Sequence, residues 1–235
     1  MIPLYLYILL GSLSIPLLFS IFFIDFIKHW KHFFLSTFII AIIFLLWDAF
    51  FTHYGIWGFN SNYCLDIKLL KMPIEEWLFF FVIPFCSLFT HYALRHVVTN
   101  FSLSNLTTNI LTLGLIVLIS IVLITNLSKA YTAINGALLL ATLLIGFFYY
   151  HHLLQQFFAS FLIILIPFFI VNGILTGAIT ESPIVWYNNS ENLGIRLFTI
   201  PVEDIGYAFT MLFGNLMIFE SFNRKLKKLH IVSLS

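Results

Sequence analysis

The chain has 235 residues, of which 61% are hydrophobic and only 9% are charged, whereas about a quarter of a typical soluble domain is charged. This composition excludes a water-soluble domain and predicts an integral membrane protein. Eleven Lys and Arg stand against ten Asp and Glu, for a net charge of +1. Such a charge gives no field that would attract nucleic acid, so nucleic-acid binding is excluded.

Seven apolar runs are each long enough to cross about 30 Å of hydrocarbon as a helix. In chain order they cover 4–24, 33–51, 73–94, 106–126, 131–150, 157–176 and 198–222. The first run lacks the basic region and the small-residue cleavage site of a signal peptide, so it is predicted to remain as a membrane helix. The sequence therefore predicts an all-α integral membrane protein of about seven transmembrane helices.

The distribution of basic residues predicts the orientation, because Lys and Arg concentrate on the cytoplasmic side. With the N-terminus outside, the cytoplasmic side holds Lys28, Lys31, Arg95, Arg224, Lys225, Lys227 and Lys228. The outer side then holds Lys68, Lys71, Lys129 and Arg196. We expect a multi-pass protein of the cell membrane with a cytoplasmic C-terminus, where the tail at 224–228 anchors to anionic lipid.

An internal repeat organises the chain. The stretch 55–60 (GIWGFN) with 73–76 (PIEE) recurs as 183–188 (PIVWYN) with 201–204 (PVED). Pro73 corresponds to Pro201, a displacement of 128 residues, and the other motif has the same displacement. This displacement places spans one, two and three on spans five, six and seven.

The repeat predicts three domains: a first three-helix repeat at 1–105, a linking helix at 106–128, and a second three-helix repeat at 129–235 that ends in the basic tail. Equivalent spans are four apart in order, so they cross the membrane in the same direction. Such parallel repeats are related by a pseudo-twofold axis along the membrane normal and usually build their site between the halves. Both acidic motifs are then expected at one face, near the outer leaflet.

Five of the ten acidic residues fall in or at the start of apolar spans, where carboxylates are costly and often functional. They are Asp48, Glu75, Glu76, Glu203 and Asp204. Acids just after a proline also suit the positive end of the helix dipole, so one motif alone could be a well-formed helix start. Two matched copies, each after a long aromatic loop, favour a shared site. Because consecutive helical residues point about 100° apart, one acid of each pair can face the interior while the other supports it.

Such a site suits carbocation chemistry. A carboxyl in an apolar, poorly hydrated cavity resists ionisation and can act as a general acid. Nearby aromatic rings can stabilise a cation through their π faces, although Trp and Tyr at this depth also form interfacial belts. These rings are Trp57, Phe59, Trp77, Trp186 and Tyr187. The combination favours protonation of an apolar alkene.

The two motif pairs resemble the membrane lycopene cyclase domain, which occurs as two small subunits in some bacteria and is fused to phytoene synthase in fungi. The resemblance covers roughly residues 3–223, as if both bacterial subunits were joined through the linking helix. It implies a lycopene β-cyclase, an intramolecular lyase or isomerase that closes the ψ-ends of lycopene to the β-rings of γ- or β-carotene. It also implies that the reaction needs no cofactor and that lycopene or a similar apolar polyene comes from the bilayer.

On this hypothesis the acid, base and support roles belong to Glu75, Glu76, Glu203 and Asp204, without a choice of the donor. The predicted substrate-binding residues are Asp48, Trp57, Phe59, Asn172, Trp186 and Tyr187. No G-x-G-x-x-G follows a strand, so the chain does not resemble the flavin-dependent cyclases. The two cysteines form no CxxC pair and no His spacing suits a metal, so no metal site is predicted.

Two alternatives remain at this point. The same fold could serve a related carotenoid hydratase, in which water adds to the same cation, or a terpenoid cyclase that cyclises a prenylated aromatic. A three-one-three arrangement of parallel repeats is also that of small-solute transporters, although the acids lie near one face and few Asn or Gln line the spans. The sequence leaves open whether one or both ends are cyclised, the ring isomer and the oligomeric state.

Overall fold

The structure is a computed structural model that describes residues 3–24 and 26–232, with side chains described as far as Asn223. Within this part of the chain, seven helices are long and apolar enough to span a membrane. They are α1 (Leu4–Phe22), α2 (Trp30–Tyr54), α3 (Ile74–Val97), α4 (Asn105–Thr125), α5 (Ala130–Tyr149), α6 (His151–Leu175) and α7 (Glu203–Val232). The predicted all-α membrane architecture is confirmed. The predicted lipid anchor at 224–228 lies outside the residues whose side chains are described.

The start of α6 differs from the sequence prediction. The apolar runs at 131–150 and 157–176 leave a polar stretch at 151–156 that predicts a break, but α6 begins at His151, directly after Tyr150. Its polar side chains bind the first turns of α4: His151 Nε2 lies 2.8 Å from Asn109 Oδ1, and Gln155 Nε2 donates to Asn105 Oδ1. Because these side chains have partners, the helix can begin there.

Short strands occupy the two long loops, where the sequence indicated only irregular chain. They are β1 (Trp57–Phe59), β2 (Lys68–Leu69), β3 (Met72–Pro73), β4 (Val185–Tyr187), β5 (Arg196–Leu197) and β6 (Ile200–Pro201). The pairs β2–β3 and β5–β6 form two small antiparallel hairpins with the same register. Leu70 and Phe198, which the displacement of 128 equates, both have a left-handed φ in the turn (53° and 58°). Each hairpin leads directly into the acidic start of α3 or α7.

The strands β1 and β4 join the two halves. They pair antiparallel, with Gly58 opposite Trp186, its own equivalent in the repeat. On either side, Asn60 N donates to Ile184 O and Asn188 N donates to Ile56 O, both at 2.8 Å. This symmetric register places the pseudo-twofold axis at the Gly58–Trp186 pair. A Cβ on Gly58 would lie 2.4 Å from the Trp186 ring, so the close approach requires glycine.

The two interfaces between the halves differ. On one side α2 packs on α7, where Ser36 Oγ donates to Asn215 Oδ1 at 2.7 Å and Asn215 Nδ2 donates to Thr37 Oγ1 at 2.9 Å. On the other side α3 faces α6, and α1 covers their seam. The helix α2 ends at Tyr54, so the displacement of 128 predicts that α6 ends at position 182. It ends instead at Leu175, and a longer connection leads to β4. This second interface therefore departs from symmetry and encloses a cavity.

Candidate active site

An apolar cavity of about 200 Å³ lies between the two halves, below the paired strands β1 and β4. Its wall includes residues of α1, α2 and α3 from the first half and of α5, α6 and α7 from the second. Three carboxyl groups line it: those of Asp48, Glu76 and Asp204. The described wall contains no Lys, Arg or His, the side chains that pair with phosphate groups.

Most of the residues that the sequence singled out meet at this cavity. Seven of the eleven line it: Asp48, Trp57, Phe59, Glu76, Asn172, Tyr187 and Asp204. The other four lie outside its wall: Glu75, Trp77, Trp186 and Glu203. Each acidic motif is therefore divided, with its second acid at the cavity and its first acid elsewhere.

The first acids of the motifs hold the loops in place. Glu75 Oε1 accepts a hydrogen bond from the backbone N–H of Leu65 at 2.6 Å, and Glu203 Oε1 accepts one from that of Leu193 at 2.7 Å. Both carboxyls are buried, and the two bonds are related by the repeat. Thr132 Oγ1 also donates to Glu203 Oε1 at 2.7 Å. These contacts fix the chain that precedes each hairpin.

The second acids of the motifs bind tyrosines across the bundle. Glu76 Oε2 accepts from the hydroxyl of Tyr5 at 2.5 Å. Asp204 accepts from two hydroxyls, that of Tyr131 on Oδ1 at 2.5 Å and that of Tyr187 on Oδ2 at 2.9 Å. Tyr5 and Tyr131 occupy the first turn of the first helix in each half. Each half therefore pairs a tyrosine of its first helix with its cavity carboxyl, although the displacement of 128 takes Tyr5 to Ala133 rather than to Tyr131.

Asp48 adds a third carboxyl, and it comes only from the first half. Its side chain is within hydrogen-bonding reach of Glu76, and its Oδ1 accepts from Trp57 Nε1. Asp48 Oδ2 meets no donor among the described residues. A hydrogen bond between the two carboxyls therefore requires that one of them carries a proton. The repeat equates Asp48 with Thr176, so the second half offers no counterpart.

Aromatic rings surround the carboxyls. The Trp57 and Tyr131 ring centroids are 5.1 Å apart, and Tyr131 stacks on Tyr187 at 5.9 Å. The ring centroid of Tyr207 lies 6.2 Å from that of Trp57. Tyr207 also interacts electrostatically with all three carboxyls of the cavity. Burial, and then the Asp204 carboxylate, raise the pKa of Tyr187 well above its ordinary value, so its hydroxyl keeps its proton and donates to Asp204.

The described residues contain no cluster of metal-ligating side chains. Among the described residues, no group of three or more His, Cys, Asp and Glu side chains is placed to hold a metal ion. Cys64 is a buried residue of the first long loop, where burial and the Glu75 carboxyl raise the pKa of its thiol to about 12. The thiol is thus neutral at physiological pH and packs as an apolar group.

The repeats match a known protein family. The lycopene cyclase family model matches residues 3–94 and 128–222, which together form most of the chain. The chain belongs to the lycopene cyclase family. The first matched stretch covers α1, α2 and most of α3, the second covers α5, α6 and most of α7, and α4 falls between them. No curated protein and no solved structure matches the chain significantly.

Membership confirms the family resemblance and assigns this multi-pass membrane protein to the enzymes of carotenoid cyclisation. Among the cavity residues of this lycopene cyclase family member that escaped the sequence analysis are three tyrosines: Tyr5, Tyr131 and Tyr207. A signal existed for the first two, since each stands near the start of the first span of its repeat. Tyr207 is the repeat equivalent of Phe79, and both line the cavity. Only the packing of α7 identifies Tyr207 as a neighbour of the carboxyls.

Proposed function

We propose that the protein is a lycopene β-cyclase that closes ψ-ends to β-rings by acid catalysis, through a carbocation and without a cofactor. The observation that carries this proposal is the convergence of Asp48, Glu76 and Asp204 on one apolar, aromatic-lined cavity. The reaction moves protons and forms one carbon–carbon bond, with no net oxidation or reduction. The three carboxyls are sufficient for both proton transfers.

The pair Asp48 and Glu76 is the proposed proton donor. Two carboxyls in contact in a poorly hydrated site do not both ionise, because the like charges repel. The pair therefore retains a proton, and Tyr5 and Trp57 fix its two carboxyl groups by hydrogen bonds. Transfer of this proton to the terminal double bond of the substrate gives a tertiary cation. The neighbouring double bond then attacks the cation and closes the ring.

Asp204 is the proposed base. It accepts hydrogen bonds from Tyr131 and Tyr187, which hold its carboxyl group at the cavity wall. A carboxylate in this position can remove the proton whose loss leaves the ring double bond. In these roles Glu75 and Glu203 are support residues, since they bind loop amides outside the cavity wall.

The aromatic wall serves the cation. The faces of Trp57 and Tyr207 can stabilise a positive charge electrostatically. An apolar enclosure also keeps water away from the cation. Water would otherwise add to the cation and give an alcohol. This exclusion of water favours a cyclase over the related hydratase.

The cavity suits one end of a polyene. A cavity of about 150 Å³ is enough to bind benzene, and the one here has about 200 Å³. An end group of similar bulk therefore fits beside the carboxyls, and the remainder of a long polyene must extend away from them. We propose lycopene or a similar apolar polyene from the bilayer as the substrate, and membrane lipid as the surrounding partner.

Expression in a bacterial host that accumulates lycopene, followed by chromatography of the pigments, tests the proposal. The expected product is γ- or β-carotene. Unchanged lycopene, with the protein confirmed in the membrane, would contradict the proposal. A hydroxylated carotenoid would instead identify the hydratase, and conversion of a supplied prenylated aromatic alone would identify a terpenoid cyclase.

We also propose the division of the chain at 1–105, 106–128 and 129–235, and a cell-membrane orientation with the N-terminus outside and the C-terminus cytoplasmic. Labelling of single cysteines with an impermeant maleimide tests the orientation, after both native cysteines are replaced. Asn62→Cys, between β1 and β2, should react in intact cells, whereas Asn100→Cys should react only after permeabilisation; both positions are exposed. The reverse labelling pattern would contradict the proposed orientation and indicate a cytoplasmic N-terminus.

A further inference from the structure

The cavity extends along one face of α3. Its wall includes Glu76, Ile83, Ser87 and Thr90, and steps of three, four and seven residues keep side chains on the same helix face. From Glu76 to Thr90 the helix rises roughly 21 Å at 1.5 Å per residue. The cavity is therefore a tunnel that reaches from the hairpin end of the bundle deep into the membrane.

The chemistry is confined to one end of this tunnel. The three carboxyls lie at the hairpin end, whereas the far end is lined by small or apolar residues of α1, α3 and α6. These include Ser12, Pro16, Cys86, Ser87, Ile164 and Pro167. None of the described residues there is an Asp or Glu. A molecule in the tunnel can thus present only one terminus to the acids.

The repeat does not provide a second tunnel. Cys86 and Ser87 correspond by the displacement of 128 to Gly214 and Asn215, which face α2. There Asn215 is hydrogen-bonded to Ser36 and Thr37. A Cβ on Gly214 would lie 3.3 Å from Ile40, so α2 and α7 are in tight contact. At Asn215 this packing fills the space equivalent to the tunnel, and the separate pocket beside Ile40, Ile145 and Gly214 has no Asp or Glu among its described lining residues. The two acidic motifs accordingly serve one site rather than one site each.

We propose that the tunnel between α1, α3 and α6 binds the polyene chain beyond the reacting end group, so that the protein closes one ring per binding event. This inference rests on the proposed cyclase function. The monocyclic product leaves the tunnel, and it must bind again in the reversed direction before its second end can react. Each closure is the same isomerisation: one proton is added, one carbon–carbon bond forms and one proton is lost.

A time course with the full chain in lipid vesicles tests the proposal. Isotopically labelled lycopene is supplied in excess over the protein, and a large excess of unlabelled lycopene is added during the reaction. Labelled γ-carotene should exceed the protein concentration, and the chase should stop its conversion to labelled β-carotene. γ-Carotene as the final product would also support a one-ended site.

Labelled β-carotene that forms without a lag, unaffected by the chase, would overturn the proposal because both ends would react in one binding event. Absence of any conversion would instead contradict the cyclase function itself.

A matched pair of substitutions tests the tunnel separately. Ser12→Phe, in the tunnel wall, should lower kcat/KM for lycopene by about tenfold or more, since its ring would occupy space proposed for the polyene and overpacking costs about 1–3 kcal/mol. Ser14→Phe on the exposed face of α1 should retain the original value, and equal losses in both variants would refute this placement of the polyene.

Discussion

Substitution of Glu76 by Gln removes an acidic proton and changes little else. Gln has nearly the same shape and keeps an oxygen that can accept from Tyr5, the partner of Glu76 Oε2 at 2.5 Å. The amide cannot share a proton with Asp48, so the proposed donor pair is lost. A positioned general acid contributes about 10²- to 10⁴-fold to rate, and this range corresponds to roughly 3–5 kcal/mol of transition-state stabilisation. We therefore expect ring closure by Glu76→Gln to be at least about 100-fold slower.

The neighbouring acid supplies the control. Glu75 lies outside the cavity wall, and Glu75→Gln keeps an acceptor for the Leu65 N–H, so its turnover should stay close to that of the unmodified protein. Glu75→Ala leaves that N–H unpaired and should cost about 1–3 kcal/mol of stability. Turnover is measured as lycopene consumed per amount of folded protein in vesicles. An inactive Glu75→Gln beside a fully active Glu76→Gln would refute the division of roles within the motif.

The second half and the helix interfaces give further expectations. Asp204→Asn should slow ring closure by about 100-fold or more because the base is lost, whereas Glu203→Gln should remain active; equal turnover of the two variants would count against Asp204. Gly146→Ala should lower the melting temperature, since the added Cβ would lie 2.6 Å from the ring of Phe213, while Gly114→Ala has open space and should not. Asn215→Leu breaks two interhelical hydrogen bonds, each worth about 0.6 kcal/mol in membranes, and thermal unfolding in detergent should detect the loss.

The helices and their pairing follow from the sequence because each span is an uninterrupted apolar run. The displacement of 128 predicted which helices correspond, and the register of β1 with β4 agrees with it. Hydropathy failed at 151–156, where polar side chains are bound by α4 and do not end the helix. The hairpins were missed because a two-residue strand has too few residues to show any periodicity.

The candidate site was predictable in composition but not in geometry. Duplicated acids at helix starts identified Glu76 and Asp204, yet the motif alone does not tell which acid of each pair faces the cavity. That choice depends on the loop amides of Leu65 and Leu193, which bind the first acids. The partnership of Asp48 with Glu76 depends on how α2 lies against α3, and no local pattern encodes that arrangement.

The mass of the product formed in heavy water tests the central claim most directly. The purified protein in lipid vesicles is given lycopene in D₂O, with no flavin or nicotinamide added. The account predicts ring closure with one deuterium gained per ring, because the added proton comes from a carboxyl that exchanges with water while a different proton is lost. Rings that carry no deuterium, or ring closure that depends on an added cofactor, would contradict acid catalysis by the carboxyls of this cavity.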